Sequence, residues 1–313
     1  MVLLPTVTML KQFSNTSIKL LHLEPTTDCN VACPQCNRTI GLPYYDDKKD
    51  RSELSLDDIK KLFTVEFIKN LDKMFMCGNF GEPAAAKDCL DIFRYFKEVN
   101  PDITLGMNTN GSLRTKGWWK ELAEIFSGPL DYVVWSIDGL EDTNHIYRVN
   151  AVWDKIIENS QAFISAGGSA QWDMLIFDYN EHQVDQAESL ARELGFSWFR
   201  AKVSKRFDYA PVEFLEPPKS WNKPNVVEAD KIECIALREQ SLYVAANGEI
   251  LPCCWFGAEA FSLDQKAKEL TKDLTKLEHS WTSDPHRICL TTCGVDEQGT
   301  SFDKQWQRET QLR

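Results

Sequence analysis

Short apolar runs alternate with stretches of helical periodicity along most of this chain. Residues 18–23 are an apolar run that predicts a first strand. Residues 54–70 repeat apolar positions at helical spacing, with Ser55 placed as an N-cap. Asp57 and Asp58 then fall in the first turn, where unpaired backbone N–H groups favour negative charge. The alternation continues with a strand over 73–77, a helix over 84–99, a strand over 103–108 and a helix over 116–126. Strands at 132–137 and 170–177 flank a helix at 152–166. A helix at 181–194, closed by Gly195, leads into a sixth strand at 196–203. Six strands separated by helices predict an α/β fold of parallel βα units. Right-handed crossovers wind such units into an open or barrel-like sheet, with loops gathered at the strand C-termini.

The pattern breaks after Lys205. Residues 208–224 hold four prolines (Pro211, Pro217, Pro218 and Pro224) and read as a linker or a strap over the surface. Residues 241–253 read as two short strands around Asn247-Gly248, a strong hairpin signal. A charged helical stretch covers about 258–281, and the polar end is expected to fray. The expected organisation is an N-terminal extension (1–17), a barrel-like core (18–205), a linker (206–230), a small cysteine-rich unit with a β-hairpin and helix (231–297) and a tail (298–313).

Charge and cysteine content narrow the chemistry. Lys and Arg number 35 against 47 Asp and Glu, a net charge of −12 that excludes an overall basic nucleic-acid footprint. No apolar run reaches the roughly 18 residues of a membrane span, and no secretory signal is visible. A cytoplasmic location is expected, with neither nucleic acid nor membrane as partner. In that reducing compartment the ten cysteines are read as metal ligands or catalytic groups rather than disulfides. Cys29, Cys33, Cys36, Cys77 and Cys89 lie early; Cys234, Cys253, Cys254, Cys289 and Cys293 lie late. The scaffold between them has none after Cys89. Two metal regions flanking a cysteine-free scaffold are the natural reading.

Cys29-x3-Cys33-x2-Cys36 follows the first strand directly. Three thiolates holding a [4Fe–4S] cluster leave one iron with an open position, as a catalytic site requires. Zinc is the alternative. A structural zinc usually takes four ligands, however, and no fourth Cys or His lies nearby, since His22 is on the preceding strand.

With these three cysteines the sequence resembles the radical S-adenosylmethionine (SAM) superfamily, whose signature is CxxxCxxC after the first strand of a partial (β/α)6 TIM-like barrel. Further motifs follow in strand order. Gly78-Asn79-Phe80-Gly81-Glu82-Pro83 is similar to the family's GGE motif, Asn108-Thr109-Asn110-Gly111 to its TNG turn, and Ser136-Ile137-Asp138-Gly139 to its SxDG element. Arg148 matches the position of an arginine that meets the SAM carboxylate, and Asn180-Glu181 precedes a helix where relatives contact the ribose. Each motif alone is weak, because such turns occur everywhere. The resemblance implies SAM contacts from Gly81, Glu82, Asn110, Ser136, Asp138, Arg148 and Asn180. Glu82 would take the ammonium, and Ser136 and Arg148 the carboxylate, which a guanidinium can grip with two parallel hydrogen bonds. It also implies reductive cleavage of SAM to a 5′-deoxyadenosyl radical, fed by an electron donor such as flavodoxin or ferredoxin. One departure is Gln35, where many members carry an aromatic residue.

Cys234, Gly248 and Cys253, followed by Cys289-x3-Cys293, offer four thiolates that suit zinc and an iron–sulfur cluster equally well by spacing. The order of Cys234, Gly248 and Cys253 resembles the opening of the SPASM/Twitch extension. That resemblance implies one auxiliary [4Fe–4S] cluster on Cys234, Cys253, Cys289 and Cys293, to aid oxidation or electron transfer. Cys254 is the alternative to Cys253, whereas Cys77 and Cys89 read as small buried apolar residues.

The substrate is expected to be a small molecule or a short peptide or protein segment. With fewer than twenty residues before the first strand, no leader-binding domain is expected, which mildly favours a small molecule or a short segment. Asp173, Arg200 and Lys202 on the last strands, with Tyr209 beyond, are candidate substrate-facing groups. Trp118, Trp119, Phe93, Tyr95 and Phe96 read as packing, and His145 as a solvated loop residue. A non-catalytic iron–sulfur or zinc module on the same scaffold is the other class of reading.

Overall fold

The computed structural model describes residues 18–40, 51–207, 211–220, 231–258, 269–270, 274–296, 299–300 and 305–313. The expected N-terminal extension 1–17 and Tyr209 lie outside these residues. Six parallel strands form the centre: β1 (Leu20–Leu23), β2 (Lys73–Met76), β3 (Thr104–Thr109), β4 (Tyr132–Ser136), β5 (Ala170–Ile176) and β6 (Trp198–Val203), each paired with the next. The intervening helices include α1 (Asn37–Ile40), α2 (Leu56–Leu62), α3 (Val65–Lys69), α4 (Cys89–Val99), α5 (Lys116–Ile125), α6 (Asn144–Tyr147), α7 (Trp153–Ser165) and α8 (Val184–Glu193).

The single helix expected over 54–70 is two helices. Ser55 starts α2 as foreseen, in a reciprocal box: its hydroxyl accepts from the Asp58 N–H at 3.2 Å and Asp58 accepts from the Ser55 N–H at 3.1 Å. The break comes at Phe63, which turns extended to bury its ring. Thr64 then caps α3 through the Phe67 N–H at 3.1 Å.

Alternation along the strands sorts the side chains. On β5 and β6, Trp172, Met174, Ile176, Phe199, Ala201 and Val203 join the main hydrophobic core under the helices. Asp173, Arg200 and Lys202 therefore face the barrel interior. Trp119, Phe93 and Phe96 are fully buried, as their packing role required.

The last third adds strands to both edges of the central sheet, so that residues 308–311, expected to fray, are paired instead. It contributes β7 (Lys231–Ile232), α9 (Ile235–Arg238), β8 (Ser241–Val244), β9 (Ile250–Leu251), α10 (Cys254–Ala258), α11 (Leu274–Ser280), α12 (Arg287–Cys293), β10 (Gly294–Asp296), β11 (Gly299–Thr300) and β12 (Arg308–Gln311). The Asn247-Gly248 hairpin forms, with Gly248 at φ 82°, and β8 then pairs in parallel with β1. At the other edge β12 runs antiparallel to β6. The result is a nine-stranded sheet ordered β12-β6-β5-β4-β3-β2-β1-β8-β9. The correction for 305–313 has a plain cause. β6 would otherwise expose a row of unpaired backbone groups, and Arg308 ties β12 down to Asp185 at 2.6 Å and Glu188 at 2.9 Å. A smaller core of Phe256, Leu277, Ile288 and Cys289 holds the cysteine-rich part, beside a three-stranded sheet β11-β10-β7.

Residues 211–220 of the strap are described, the rest of it lying outside the described residues, and they are pinned over the cysteine loop. Leu215 is buried with Val31, Cys33, Tyr147 and Phe177, and the Asp178 N–H donates to the Glu216 carbonyl at 3.0 Å. Among the described residues no helix is long and apolar enough to cross a membrane.

Candidate active site at the barrel mouth

The loop after β1 is folded by its own polar groups before any cofactor is considered. The Thr26 hydroxyl accepts from the Asp28 N–H at 3.1 Å, the Ala32 N–H donates to the Val149 carbonyl at 3.0 Å, and Arg38 reaches the Thr27 carbonyl. Cys29, Cys33 and Cys36 share one apolar cluster. Burial pushes the Cys29 thiol up to about 12, with the Glu82 charge adding to it, and the Cys33 thiol up to about 11. A bound metal would reverse this by stabilising the thiolates. Donors already point at the sulfurs. Arg148 Nη1 is 3.6 Å from Cys33 Sγ, and Asn110 Nδ2 is 3.9 Å from Cys29 Sγ.

The GEP turn after β2 presses against this loop. A Cβ at Gly81 would lie 1.7 Å from the Thr26 carbonyl oxygen, so only glycine fits there. Glu82 is buried, and its carboxylate accepts from the Thr109 hydroxyl at 2.7 Å, the Asn110 N–H at 2.7 Å and the Ala84 N–H at 3.2 Å. Among the described residues no cationic side chain lies within ion-pair reach of it. Burial raises its pKa, opposed by those donors. The site thus offers a desolvated carboxylate that an ammonium would satisfy.

On the opposite side, Arg148 Nε donates to Asp138 at 2.6 Å, and the other Asp138 oxygen accepts from the Leu175 N–H at 2.6 Å. Asp138 therefore positions the guanidinium, leaving Nη1 towards Cys33. Ser136 ends β4 opposite Asp173, and its hydroxyl makes no hydrogen bond among the described residues. Asn180 is fully buried and donates to the carbonyls of Asp138 and Leu175, both at 2.9 Å, so its amide holds two loops together.

Residues 23–191 match the model described as the Radical SAM superfamily. The chain belongs to that superfamily. A 32% identical stretch of 135 residues relates it to the tungsten-containing aldehyde ferredoxin oxidoreductase cofactor-modifying protein of Pyrococcus furiosus, covering 43% of this chain and 35% of that protein. The chain thus spans about a third of that relative. A GTP 3′,8-cyclase of Rhodopirellula baltica is 23% identical over 282 residues, 88% of this chain and 72% of that one. Among solved structures, Streptococcus suis SuiB bound to S-adenosylmethionine superposes with a TM-score of 0.56 at 18% identity, over 89% of this chain and 69% of that one. Native anSMEcpe with bound AdoMet does so at 0.56 and 14%, over 90% and 92%. These likenesses are of fold.

Within this radical SAM barrel, the late cysteines separate into two surroundings. The Cys234 thiol is lowered to about 7 by its neighbour Cys293, and Cys253 packs with the small core that holds Cys289. Cys254 instead packs with Tyr243, Ala245 and Leu251, and lies within the field of Cys77. Among the described residues no three His, Cys, Asp or Glu side chains converge on one metal ion. A four-iron cluster makes a different demand, giving each thiolate its own iron. Cys89 is buried beside Met76, as expected. Cys77, expected to be buried, is half-exposed, and desolvation, with the charges of Glu24 and Glu82 adding to it, raises its thiol pKa.

Asp173 and Arg200 meet as a bidentate pair at 2.8 and 3.0 Å. Lys202 Nζ donates to Gln305 at 2.8 Å, and the Trp306 ring lies 4.5 Å from both cations. His145 is exposed, as expected, but it sits in the short helix α6 rather than in a loop. Sequence reasoning missed Trp306, because nothing near the terminus signals that it returns to the barrel. It also missed Glu24, whose buried carboxylate accepts from the Phe80 and Gly81 N–H groups at 2.7 and 3.1 Å. A charged residue ending an apolar strand was the available signal. Gln35, where an aromatic is commoner, is buried and accepts from the Ser204 hydroxyl at 2.7 Å.

Proposed function

We propose that this protein is a radical SAM enzyme acting on a small molecule or a short peptide segment, with Cys29, Cys33 and Cys36 as ligands of its catalytic [4Fe–4S] cluster. The observation that carries this reading is the pairing of Glu82, a buried carboxylate supplied only with neutral donors, with Arg148, a guanidinium oriented by Asp138 towards Cys33. The two flank the three thiols with the charges that an amino acid's ammonium and carboxylate require. When bound, the cluster and SAM supply one-electron cleavage of the sulfonium and a 5′-deoxyadenosyl radical that takes a substrate hydrogen.

The chain's own residues orient and shield. Glu82 holds the ammonium, Arg148 and Ser136 the carboxylate, and Asn110 lies over Cys29. Leu215, Tyr147 and Phe177 close an apolar wall around Cys33 that excludes water and stray hydrogens. Asp138 and Asn180 act through others, the first on Arg148 and the second on the loop after β5.

Cys234, Cys253, Cys289 and Cys293 are proposed to hold one auxiliary [4Fe–4S] cluster in a Twitch-like extension, aiding oxidation or electron transfer. The packing of Cys253 with Cys289, against that of Cys254 with Tyr243 and Leu251, supports Cys253 as the ligand. The electron donor would be of the flavodoxin or ferredoxin class. Relatives named for modifying a cofactor and for cyclising GTP support a small-molecule substrate; SuiB bound to its precursor peptide supports a peptide.

The test is anaerobic reconstitution with iron and sulfide, followed by dithionite and SAM. About eight irons per chain, from two four-iron clusters, with 5′-deoxyadenosine release, are expected. Tightly bound zinc with no SAM cleavage would end the proposal in favour of a non-catalytic module.

A further inference from the structure

We propose that Lys202 is the receptor for an anionic group of the substrate, a carboxylate or a phosphate, in a barrel subsite covered by Trp306. The proposal deepens the radical SAM reading and rests on it for calling the bound molecule a substrate.

Three other cations of the barrel have their own carboxylates: Lys97 with Asp131 at 2.9 Å, Arg148 with Asp138 at 2.6 Å and Arg200 with Asp173 at 2.8 Å. Lys202 has none within ion-pair reach among the described residues. Asp173, on the neighbouring strand β5, has both of its oxygens accepting from Arg200. The ammonium is held instead by a neutral amide, Gln305 Oε1 at 2.8 Å, and by the Trp306 ring at 4.5 Å. Desolvation lowers the pKa of this lysine, with Asp173 opposing the shift. A cation held largely out of water by neutral partners is under-compensated. An incoming carboxylate or phosphate would replace the Gln305 carbonyl with a charge-assisted hydrogen bond.

Position agrees with this role. Lys202 is one residue from the C-terminal end of β6, the end at which barrels of this kind place their chemistry. Its charge also acts on Cys77, just after β2, and on Asp138, just after β4. Gln305 and Trp306 arrive with β12, whose pairing to β6 brings this cover over the subsite.

Isothermal titration calorimetry on the anaerobically reconstituted full chain, with SAM present and at low ionic strength, tests this. Pyrophosphate is the titrant in one arm and succinate in the other, which separates phosphate from carboxylate. Saturable binding of at least one is expected, weakened roughly tenfold or more in Lys202→Gln and held within about threefold in Lys202→Arg. Gln305→Ala removes the competitor for the ammonium and should tighten binding by about threefold. That gain is one a purely structural contact would not give, and it decides the matter if Lys202→Gln fails to fold. No saturable binding of either anion, or equal affinities in wild type, Lys202→Gln and Gln305→Ala, would overturn the proposal. Release of 5′-deoxyadenosine by the wild type without added anion is scored separately, so failure of the radical reading and failure of this subsite are distinguishable.

Discussion

The hydroxyl of Tyr243 donates to the carboxylate of Glu24, joining two positions 219 residues apart. The other Glu24 oxygen accepts from the Phe80 and Gly81 N–H groups, so β8 braces the turn that presents Glu82. Asn79 Nδ2 completes the link, donating to the Tyr243 oxygen at 3.1 Å and the Cys254 carbonyl at 2.9 Å. Tyr243→Phe leaves a buried carboxylate short of a donor. A loss of about 1–3 kcal/mol is expected, read from urea unfolding, together with weaker SAM binding. An unchanged unfolding midpoint would contradict the bracing role.

Glu82→Gln removes the charge and keeps an acceptor for Thr109 and Ala84, but sets its NH2 against the Asn110 N–H, because the two sets of donors use different carboxylate oxygens. SAM affinity is expected to fall roughly ten- to a hundredfold, the value of one charge-assisted hydrogen bond, with about 1–3 kcal/mol of stability lost to the unsatisfied Asn110 N–H. Arg148→Lys loses the bond geometry that Asp138 enforces and should weaken SAM binding too. Binding of SAM by calorimetry checks both; wild-type affinity in Glu82→Gln would remove the carboxylate from the site.

The two cysteine groups should separate functionally. Cys33→Ala is expected to abolish SAM cleavage. Cys289→Ala should keep about four irons, one cluster's worth, and some 5′-deoxyadenosine release uncoupled from substrate. Iron analysis with product chromatography distinguishes the variants, and complete loss in both would refute the division of labour.

His22 gives a pH signature. Burial holds its pKa down at about 4, while the Cys77 carbonyl accepts from Nε2 at 2.8 Å and opposes the shift. In the unfolded chain the imidazole titrates near 6.5, so as pH falls the unfolded state takes up the proton first. The contribution of neutral His22 is complete above about pH 6.5 and is lost progressively between there and about pH 4. The stability advantage of wild type over His22→Gln should therefore shrink by about 2 kcal/mol between pH 7 and 5. A constant difference across that range would show that the imidazole titrates normally in the fold.

Much of the frame was legible in the chain itself. Period-two and period-3.6 apolar spacing marked the six parallel strands and most helices, because each element buries one face and its neighbours in sequence decide which. The three early cysteines and the turns at Glu82, Asn110 and Asp138 were equally visible, since each follows a strand and all gather at one end of a parallel sheet.

Tertiary structure alone decided the partnerships. The sequence placed Glu82 and Arg148 on separate loops; only the folded barrel shows one carboxylate without a cation and one guanidinium held by Asp138. It also sewed β8 onto β1 and β12 onto β6, bringing Tyr243 to Glu24 and Trp306 to Lys202. Local pattern reports which face of a segment is apolar. Edge pairing is settled by which strands reach the sheet with unsatisfied backbone groups, and that depends on contacts far apart in the chain.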